Sequence, residues 1–490
     1  MYDVVIVGAG PVGLWAALEL SRLNIHVLVL ERHLTRQSQS RAGSLHPRTL
    51  ELFAARGLAE HFLREGVRVD SGHFAGLRSR LDFTQLDSRY PFTLQLPQST
   101  TEAILEQEVA ALGGAVQRGH EAISVEQGPD GVTVTCSCGV LHTARYLIGC
   151  DGARSTVRQA AGIEWIGHPD TTTTLLGDVV LRNPPIAALS THGPEGCTLI
   201  HPLPDGLHRL IRIDPQRAHM AKAEPLTLSE LRESFVRATG QDFGMHNPVW
   251  LSRVGNAAFQ AASYRRGRIF LAGDSAHIHF PMGGHGLNLG IQDATNLSWK
   301  ISYVLNRKAS ETILDTYQEE RHPVGAAIVR ITSAQFHLAS ASGPEGNALR
   351  DTIDGLLVRH PDVNHSLAQQ QAGLDITYSF RTSSPHRLLG GRAPDAFLPH
   401  LGTYVHQALS SGSLLLLDFD EVLSSRDLQR LTDSSVLAVP ADRRGFDTDW
   451  QDIRAALLRP DGHIAWLTTA TDNATVDLFS ALETWTGPSS

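Results

Sequence analysis

The sequence predicts a multidomain α/β protein organised around a Rossmann-type unit, and three observations carry that prediction. A short apolar strand at the N-terminus runs into Gly8-Ala9-Gly10-Pro11-Val12-Gly13, then a helix and a second strand. A β-rich run from Thr171 to about Gly255 interrupts the α/β pattern. A glycine-rich stretch from Gly267 to Lys300 lies between another short strand and a long helix. At 490 residues the chain is long for one core, so ~2 to 3 domains are expected.

In order, Asp3–Val7 forms a buried strand, Val12–Leu23 a helix with Leu14, Ala17, Leu18 and Leu20 on one face, and Val27–Leu30 a second strand. In G-x-G-x-x-G the first glycine makes the tight turn, the second admits a pyrophosphate and the third lets helix and strand approach. Glu31 ends the second strand, where a carboxylate meets an adenosine ribose; its charge favours FAD or NAD over NADP. Pro47 suits the first turn of the next helix. Arg41, just before it, either faces a phosphate or is simply solvated.

Residues 69–96 lose helical periodicity and read as short strands. Ser99-Thr100-Thr101-Glu102 has the form of a capping box that starts a helix through Leu112, which leaves Gln98 in the preceding loop. Two strands flank the turn Gly128–Gly131, and the strand Ala144–Ile148 runs into Gly149-Cys150-Asp151-Gly152. Leu175–Leu181, Thr198–Leu203 and Leu207–Ile213 are strands of the inserted sheet. Beyond it, Gly283, Gly284 and Gly286 expose backbone N–H groups at the positive end of a helix, a turn suited to an anion or a polar ring edge. A long helix over Ile313–Phe336 places Glu319, Glu320, Arg321 and His322 on a polar face. Leu338–Gln371 is helical, and Thr382–Pro399 reads as a linker. Strands at Leu414–Leu417, Ser435–Val439 and His463–Thr468, with a turn at Arg459-Pro460-Asp461-Gly462, complete a small α/β domain.

A net charge of −9 with no basic stripe argues against nucleic acid as a partner and favours a small organic ligand. The absence of an export signal and of any apolar run of ~18 residues predicts a cytoplasmic protein without a membrane span. The four cysteines form no C-x-x-C and no zinc spacing, so the sequence predicts no metal and no dithiol chemistry.

Taken together, the motifs resemble those of the class A flavoprotein aromatic hydroxylases, of which para-hydroxybenzoate hydroxylase is the reference member. Gly8–Gly13 is similar to the first FAD fingerprint, Cys150-Asp151-Gly152-Ala153-Arg154-Ser155 to the family's Asp-Gly motif, and Gly273-Asp274-Ser275-Ala276-His277 to its Gly-Asp motif. Arg89-Tyr90-Pro91-Phe92 and Pro97-Gln98-Ser99 resemble most the bacterial hydroxylases of aromatic polyketides. The resemblance implies a Rossmann-like FAD domain (1–170 and 259–378), with a β segment near 70–97 joining a substrate-binding sheet domain (171–258). It also implies a thioredoxin-like C-terminal domain (379–490) of structural role.

The implied FAD set is Gly8, Gly10, Pro11, Val12, Gly13, Glu31, Arg32, Arg41, Gln98, Asp151, Asp274, Pro281, Gly284, Gly286, Leu287 and Asn288. In that set Glu31 holds the ribose, Asp274 meets the ribityl chain or pyrophosphate, and Gly286, Leu287 and Asn288 border the flavin ring. His285 stands where family members often carry glutamine, and is either a titratable group near the cofactor or a loop polar residue. No second Rossmann unit follows, so a nicotinamide cofactor is expected to bind transiently; the cycle that the resemblance implies has NADPH reduce FAD, O2 add at flavin C4a and the hydroperoxide hydroxylate the ring. The cofactor carries that chemistry, so no catalytic acid–base residue is assigned. The expected substrate is a multi-ring aromatic in an apolar pocket with few polar anchors. Antibiotic inactivation, hydroxylation of simple phenols and low-turnover ligand binding are the alternatives, and a homodimer is left open.

Overall fold

The computed structural model describes residues 1–37, 42–380, 386–433, 436–469 and 474–486. Its main sheet has Tyr2–Val7 at the centre, paired in parallel with Val27–Glu31 on one side and Leu141–Gly149 on the other. Ala115–Arg118 continues the sheet beyond Val27–Glu31, and Ile269–Leu271 beyond Leu141–Gly149. The run Val4-Val5-Ile6-Val7 is buried on both faces, which is why it reads as continuous apolar sequence rather than alternation. Val132–Cys136 and Ala122–Gln127 extend the sheet antiparallel from the N-terminal half of Leu141–Gly149.

The helix Pro11–Arg22 covers the central strands, and the helix His285–Leu305 crosses it closely. A Cβ on Gly290 would stand 2.4 Å from Val12 Cγ2, so glycine there permits the approach. Trp15 Nε1 donates to Thr295 Oγ1 at 2.8 Å, joining the two helices.

The inserted unit is a five-stranded antiparallel sheet in the order Leu189–Gly193, Gly196–Pro202, Leu207–Ile213, Thr173–Leu181, Met245–Gly255. The helix Leu228–Thr239 packs on it through Leu231 and Phe235, with Thr227 Oγ1 accepting from the Glu230 N–H at its start. Thr93–Gln95 pairs with Ser44–Leu45 and Val67–Val69 in a separate small sheet. The 70–97 segment therefore meets the inserted unit through side chains, such as Arg80 Nη1 to Ser190 Oγ at 3.5 Å, and not through a shared ladder. The C-terminal sheet runs Val436–Pro440, Leu414–Asp418, Ala455–Leu458, Ile464–Thr468. Its first pair is parallel and the others antiparallel, with helices Ser425–Asp433 and Ala474–Thr486, in a thioredoxin-like arrangement.

Several expectations are corrected. The helix after the small sheet starts at Gln98 and has no side-chain cap, so Ser99–Glu102 forms no capping box. Pro97 presets the turn, its carbonyl accepting from the N–H groups of Thr100 and Thr101, and Glu102 is instead held by Gln98 Nε2 at 2.8 Å. In the long helix Asp315–Ser340, Glu320 and Arg321 are buried rather than solvated. Arg321 pairs with Asp293 at 2.8 Å, and Glu320 with Lys300 at 2.8 Å and Arg459 at 2.7 Å. The Arg459–Gly462 turn is consequently an internal junction: Arg459 is fully buried, and Asp461 Oδ2 accepts from Asn296 Nδ2 and Trp299 Nε1. Glu320 and Asp461 bring two negative charges against Arg459 and Lys300, which accounts for charge at depth.

Within the expected linker, Thr382–Pro385 lie among residues outside the description. The part that follows is no spacer, because the N–H groups of Gly390 and Ala393 donate to Ile464 and Gly462 and fasten it to the last hairpin. Finally, adjacent strands bring His120, Cys136 and His142 together, their ligand atoms all within 4.8 Å of one another. Strand pairing creates that proximity, so linear spacing could not rule a metal out.

Candidate active site

A groove and a cavity meet at the first fingerprint. The groove, of about 410 Å³, runs past Gly8, Glu31, Arg32 and Asp151. The cavity, of about 360 Å³, lies between the start of the His285–Leu305 helix and the inserted sheet. Gly10, Gln98, Cys150 and Gly152 line both, so the two form one continuous channel.

The three fingerprint glycines do different work. Gly8 has φ +106° and a Cβ there would lie 2.3 Å from the Cys150 carbonyl oxygen, while one on Gly13 would lie 2.0 Å from the Gly8 carbonyl oxygen. Those two glycines close the turn. A Cβ on Gly10 would meet nothing within 4 Å: the open side of the turn faces the channel, a cradle that a side chain would fill. Gly10 also begins the helix without a side-chain cap, leaving first-turn N–H groups for an anion. Glu31 is fixed at the groove by the N–H groups of Ala9 and His33, each donating to a different carboxylate oxygen at 2.9 Å. Arg32 lies beside it with Nε donating to His33 Nε2 at 3.2 Å.

Asp151 lines the groove but uses its carboxylate locally, accepting from Ser155 Oγ at 2.5 Å and the Val157 N–H at 3.1 Å, and burial raises its pKa. Gln98 stands at the junction, its Oε1 accepting from the Ala42 N–H at 3.1 Å. Arg41 falls outside the described residues.

At the other end, Gly283 and Gly284 adopt φ +73° and +72° and open the His285–Leu305 helix, again without a side-chain cap. A Cβ on Gly284 would stand 2.3 Å from Ser44 Oγ. Pro281, Gly284, Gly286, Leu287 and Asp274 line the cavity here, with Pro11 and Val12 opposite. Asp274 is exposed to it, and a Cβ on Gly286 would sit 3.9 Å from both Asp274 Oδ1 and His279 Nε2.

Asn288 is not brought to this cavity. Its Oδ1 accepts from the His46 N–H at 2.8 Å and Thr49 Oγ1 at 2.7 Å, and its Nδ2 donates to the Ser44 and Gly284 carbonyls, so it braces the wall from behind. His285 is likewise turned toward a separate cavity of about 250 Å³. Burial, with His46 and His279 nearby, holds its pKa well below the ordinary value, so it is a neutral packing residue.

The polar groups of the cavity were not legible in the sequence: its surface is mainly apolar, as expected, but carries more polar anchors than the few expected. His46, His73, His201 and His279 line it together with Arg80 and Gln371. Burial is the leading cause that lowers each imidazole, His46 and His279 to about 4 and His201 to about 3. Near neutral pH they are uncharged, each offering one donor and one acceptor nitrogen. His279 Nδ1 meets the Phe280 carbonyl at 2.8 Å, and its buried Nε2, like Thr93 Oγ1, has no hydrogen-bond partner among the described residues. Arg209 borders the same space on a rigid mount, its guanidinium paired in two 2.8 Å bonds with Asp178, which also accepts from Trp250 Nε1. These groups come from the first fingerprint side, the inserted sheet and the C-terminal helices. No local spacing could have announced them.

The chain matches the family described as FAD binding domain over residues 1–332 and that described as aromatic-ring hydroxylase, C-terminal over residues 386–489. It is 40% identical over 471 residues to the rifampicin monooxygenase of Streptomyces venezuelae, covering 95% of each chain. The solved anhydrotetracycline hydroxylase OxyS of Streptomyces rimosus superimposes with a TM-score of 0.87 at 36% identity over all of both chains. The Diels-Alderase PyrE3 of pyrroindomycin biosynthesis does so with a TM-score of 0.85 at 33% identity, again over all of both chains.

Proposed function

The chain belongs to the FAD-dependent aromatic-ring hydroxylase family, and from that premise we propose that it is a cytoplasmic, NADPH-dependent monooxygenase of a multi-ring, polyoxygenated aromatic compound of the polyketide type. FAD is its cofactor, and when bound it supplies the redox chemistry by which O2 is activated. The residues present fit it. Gly8, Gly10 and Gly13 with the bare start of the Pro11–Arg22 helix would take the pyrophosphate, and Glu31 the adenosine ribose. The open turn Gly283-Gly284 and the first-turn N–H groups beyond it would face the polar edge of the ring system, with Asp274 orienting the chain between.

The observation that carries the substrate reading is the wall of buried neutral imidazoles beside that turn. A flat aromatic covers apolar surface such as Leu176 and Ile211, while its phenol and carbonyl oxygens exchange hydrogen bonds with His46, His201 and His279, beside the guanidinium groups of Arg80 and Arg209. With Nδ1 given to the Phe280 carbonyl, His279 Nε2 is the acceptor nitrogen and can take a hydrogen bond from a phenolic O–H, orienting the ring. Relatives that act on rifampicin and anhydrotetracycline, both named for their substrates, support the size class.

The test is substrate-stimulated NADPH oxidation by purified flavoprotein, coupled to a product carrying one oxygen atom from labelled O2. Polycyclic phenols and quinones should stimulate; single-ring phenols should not. Strong stimulation by a simple phenol alone overturns the substrate class. A product isomeric with its substrate, formed without NADPH consumption, replaces hydroxylation with a ring-forming activity like that named for PyrE3.

A further inference from the structure

Beside the groove that passes Glu31, whose lining includes His120, two histidines and two cysteines converge on the main sheet. His120 follows the strand Ala115–Arg118, Cys136 closes the strand Val132–Cys136, and His142 stands near the start of Leu141–Gly149. The ladder fixes their meeting: Cys136 pairs with Ala122, two residues after His120, and Val134 pairs with His142. The tight hairpin between the last two strands returns the fourth group. The Cys136 N–H donates to Val140, the Gly139 N–H to Cys136, and Cys138 sits at the tip with Sγ 3.8 Å from His120 Nδ1.

We propose that His120, Cys136, Cys138 and His142 form a structural Zn²⁺ site. The ligand atoms of His120, Cys136 and His142 already lie within 4.8 Å of one another. Tetrahedral zinc with N and S ligands sets donor–donor separations of roughly 3.3–3.8 Å, so closure asks these three to draw in by about 1 Å and Cys138, 3.8 Å from His120, to turn in from the hairpin tip. The independent sign is His142. Its side chain is 8% exposed, yet Nε2 is buried with no hydrogen-bond partner among the described residues. A bare ring nitrogen next to a buried thiol costs desolvation energy that coordination would recover. All four cysteines are free thiols, and two thiolates with two imidazoles form a soft set that selects zinc over magnesium or calcium. Binding releases the thiol protons of Cys136 and Cys138 to solvent and changes no oxidation state. The ion would staple three strands beside the adenosine end of the groove, where the His120 N–H donates to the Glu31 carbonyl at 2.9 Å.

The test uses untagged, FAD-loaded protein purified under reducing conditions from zinc-supplemented medium, with metal measured by elemental analysis after gel filtration. About one Zn²⁺ per chain is expected, with zinc affinity in Cys138→Ser and in His142→Ala lower by more than the roughly 10- to 100-fold that loss of a ligand's hydrogen-bond partner costs. Cys138 is exposed, so its serine variant is not at risk of misfolding, and flavin content reports on the fold. Replacement by Co²⁺ should give red d–d absorption clear of the flavin and thiolate charge-transfer intensity that falls by about half per bound ion in Cys138→Ser, where the Cys136 thiolate remains. The proposal is overturned if folded, flavin-loaded protein takes up neither ion, if Cys138→Ser and wild type hold equal zinc, or if Cys136 and Cys138 emerge as a disulfide.

Discussion

Gly10→Ala should separate cofactor binding from folding, because a Cβ clashes at Gly8 and Gly13 but at Gly10 meets only the open channel proposed for the pyrophosphate. Gly10 has φ −74° and ψ 179°, which alanine adopts freely, and its added methyl meets nothing within 4 Å. Two small terms then oppose each other in the apoprotein. The stiffer unfolded chain stabilises by about 0.4–1 kcal/mol, and alanine is a poorer residue than glycine at a helix start by a similar amount. Apoprotein stability should therefore stay within about 1 kcal/mol of wild type. The methyl, however, occupies the face from which a pyrophosphate reaches the first-turn N–H groups. Losing one or two charge-assisted hydrogen bonds at about 1.5–3 kcal/mol each weakens FAD by about 1.5–6 kcal/mol. At about 1.4 kcal/mol per decade that is a Kd increase of roughly 10- to 20,000-fold. Gly13→Ala is the contrast: its methyl would lie 2.0 Å from the Gly8 carbonyl oxygen, so it should damage the fold itself. Urea unfolding of apoprotein and FAD titration by flavin fluorescence measure the two quantities. A folded Gly10→Ala protein that binds FAD within about threefold of wild type would refute the placement of the pyrophosphate.

Asp274→Ala should lower FAD affinity by about tenfold, the loss of one hydrogen bond to a charged acceptor, without moving the pH profile of turnover; wild-type FAD affinity with hydroxylation abolished would show it to be an acid or base instead. Arg459→Met should destabilise by about 3–5 kcal/mol, since Glu320 and Asp461 would stay buried with only Lys300 opposite; a Tm unchanged from wild type contradicts the junction role. Acid titration should show stability falling between about pH 6.5 and 4, because His46 and His279 bind protons at about 4 when folded but near the ordinary value when unfolded, so the unfolded chain gains the protons. Each such histidine contributes up to about 3 kcal/mol over that window, and calorimetry showing flat stability from pH 7 to 5 argues against buried neutral imidazoles.

The glycine turn that lines the proposed cofactor channel was legible because its groups are consecutive. Gly8, Gly10 and Gly13 act through backbone geometry within one turn, so their spacing alone states what each must do, and Glu31 is placed by the end of a strand whose start that turn defines. Legibility failed wherever a residue's role depends on distant partners. Glu320 and Arg321 are adjacent charges in a helix with polar neighbours, and only Asp293, Lys300 and Arg459 arriving from elsewhere make them core. Asn288 follows the glycine turn in sequence and so looks like part of the flavin site, yet one helical step carries it behind the wall, where it holds His46. The same limit applies to metal ligands. Cys136 and His142 are six residues apart in a hairpin, and His120 reaches them only through the neighbouring strand.

That division bears on how one scaffold comes to serve different chemistries. On the proposed reading, the groups that would hold FAD are backbone amides and a few side chains whose geometry is fixed within short segments. The groups that would face the substrate are side chains on separate supports: His46 before a helix, His73 in a short hairpin, His201 and Arg209 in the inserted sheet, and Gln371 in the C-terminal helices. Replacing one of these changes the cavity wall without touching the turn beside Gly10, from which none of them hangs. The mounts are nevertheless rigid. Arg209 is pinned by Asp178 and Trp250, and Gln371 Nε2 donates to the Gly283 carbonyl at 3.2 Å, tying the wall to the helix start that faces the cofactor. Gln371 is thus a side chain through which substrate-side changes can reach the flavin-side turn. Substitutions of His201 should alter which aromatic is accepted while leaving FAD affinity intact, whereas Gln371→Ala should disturb both.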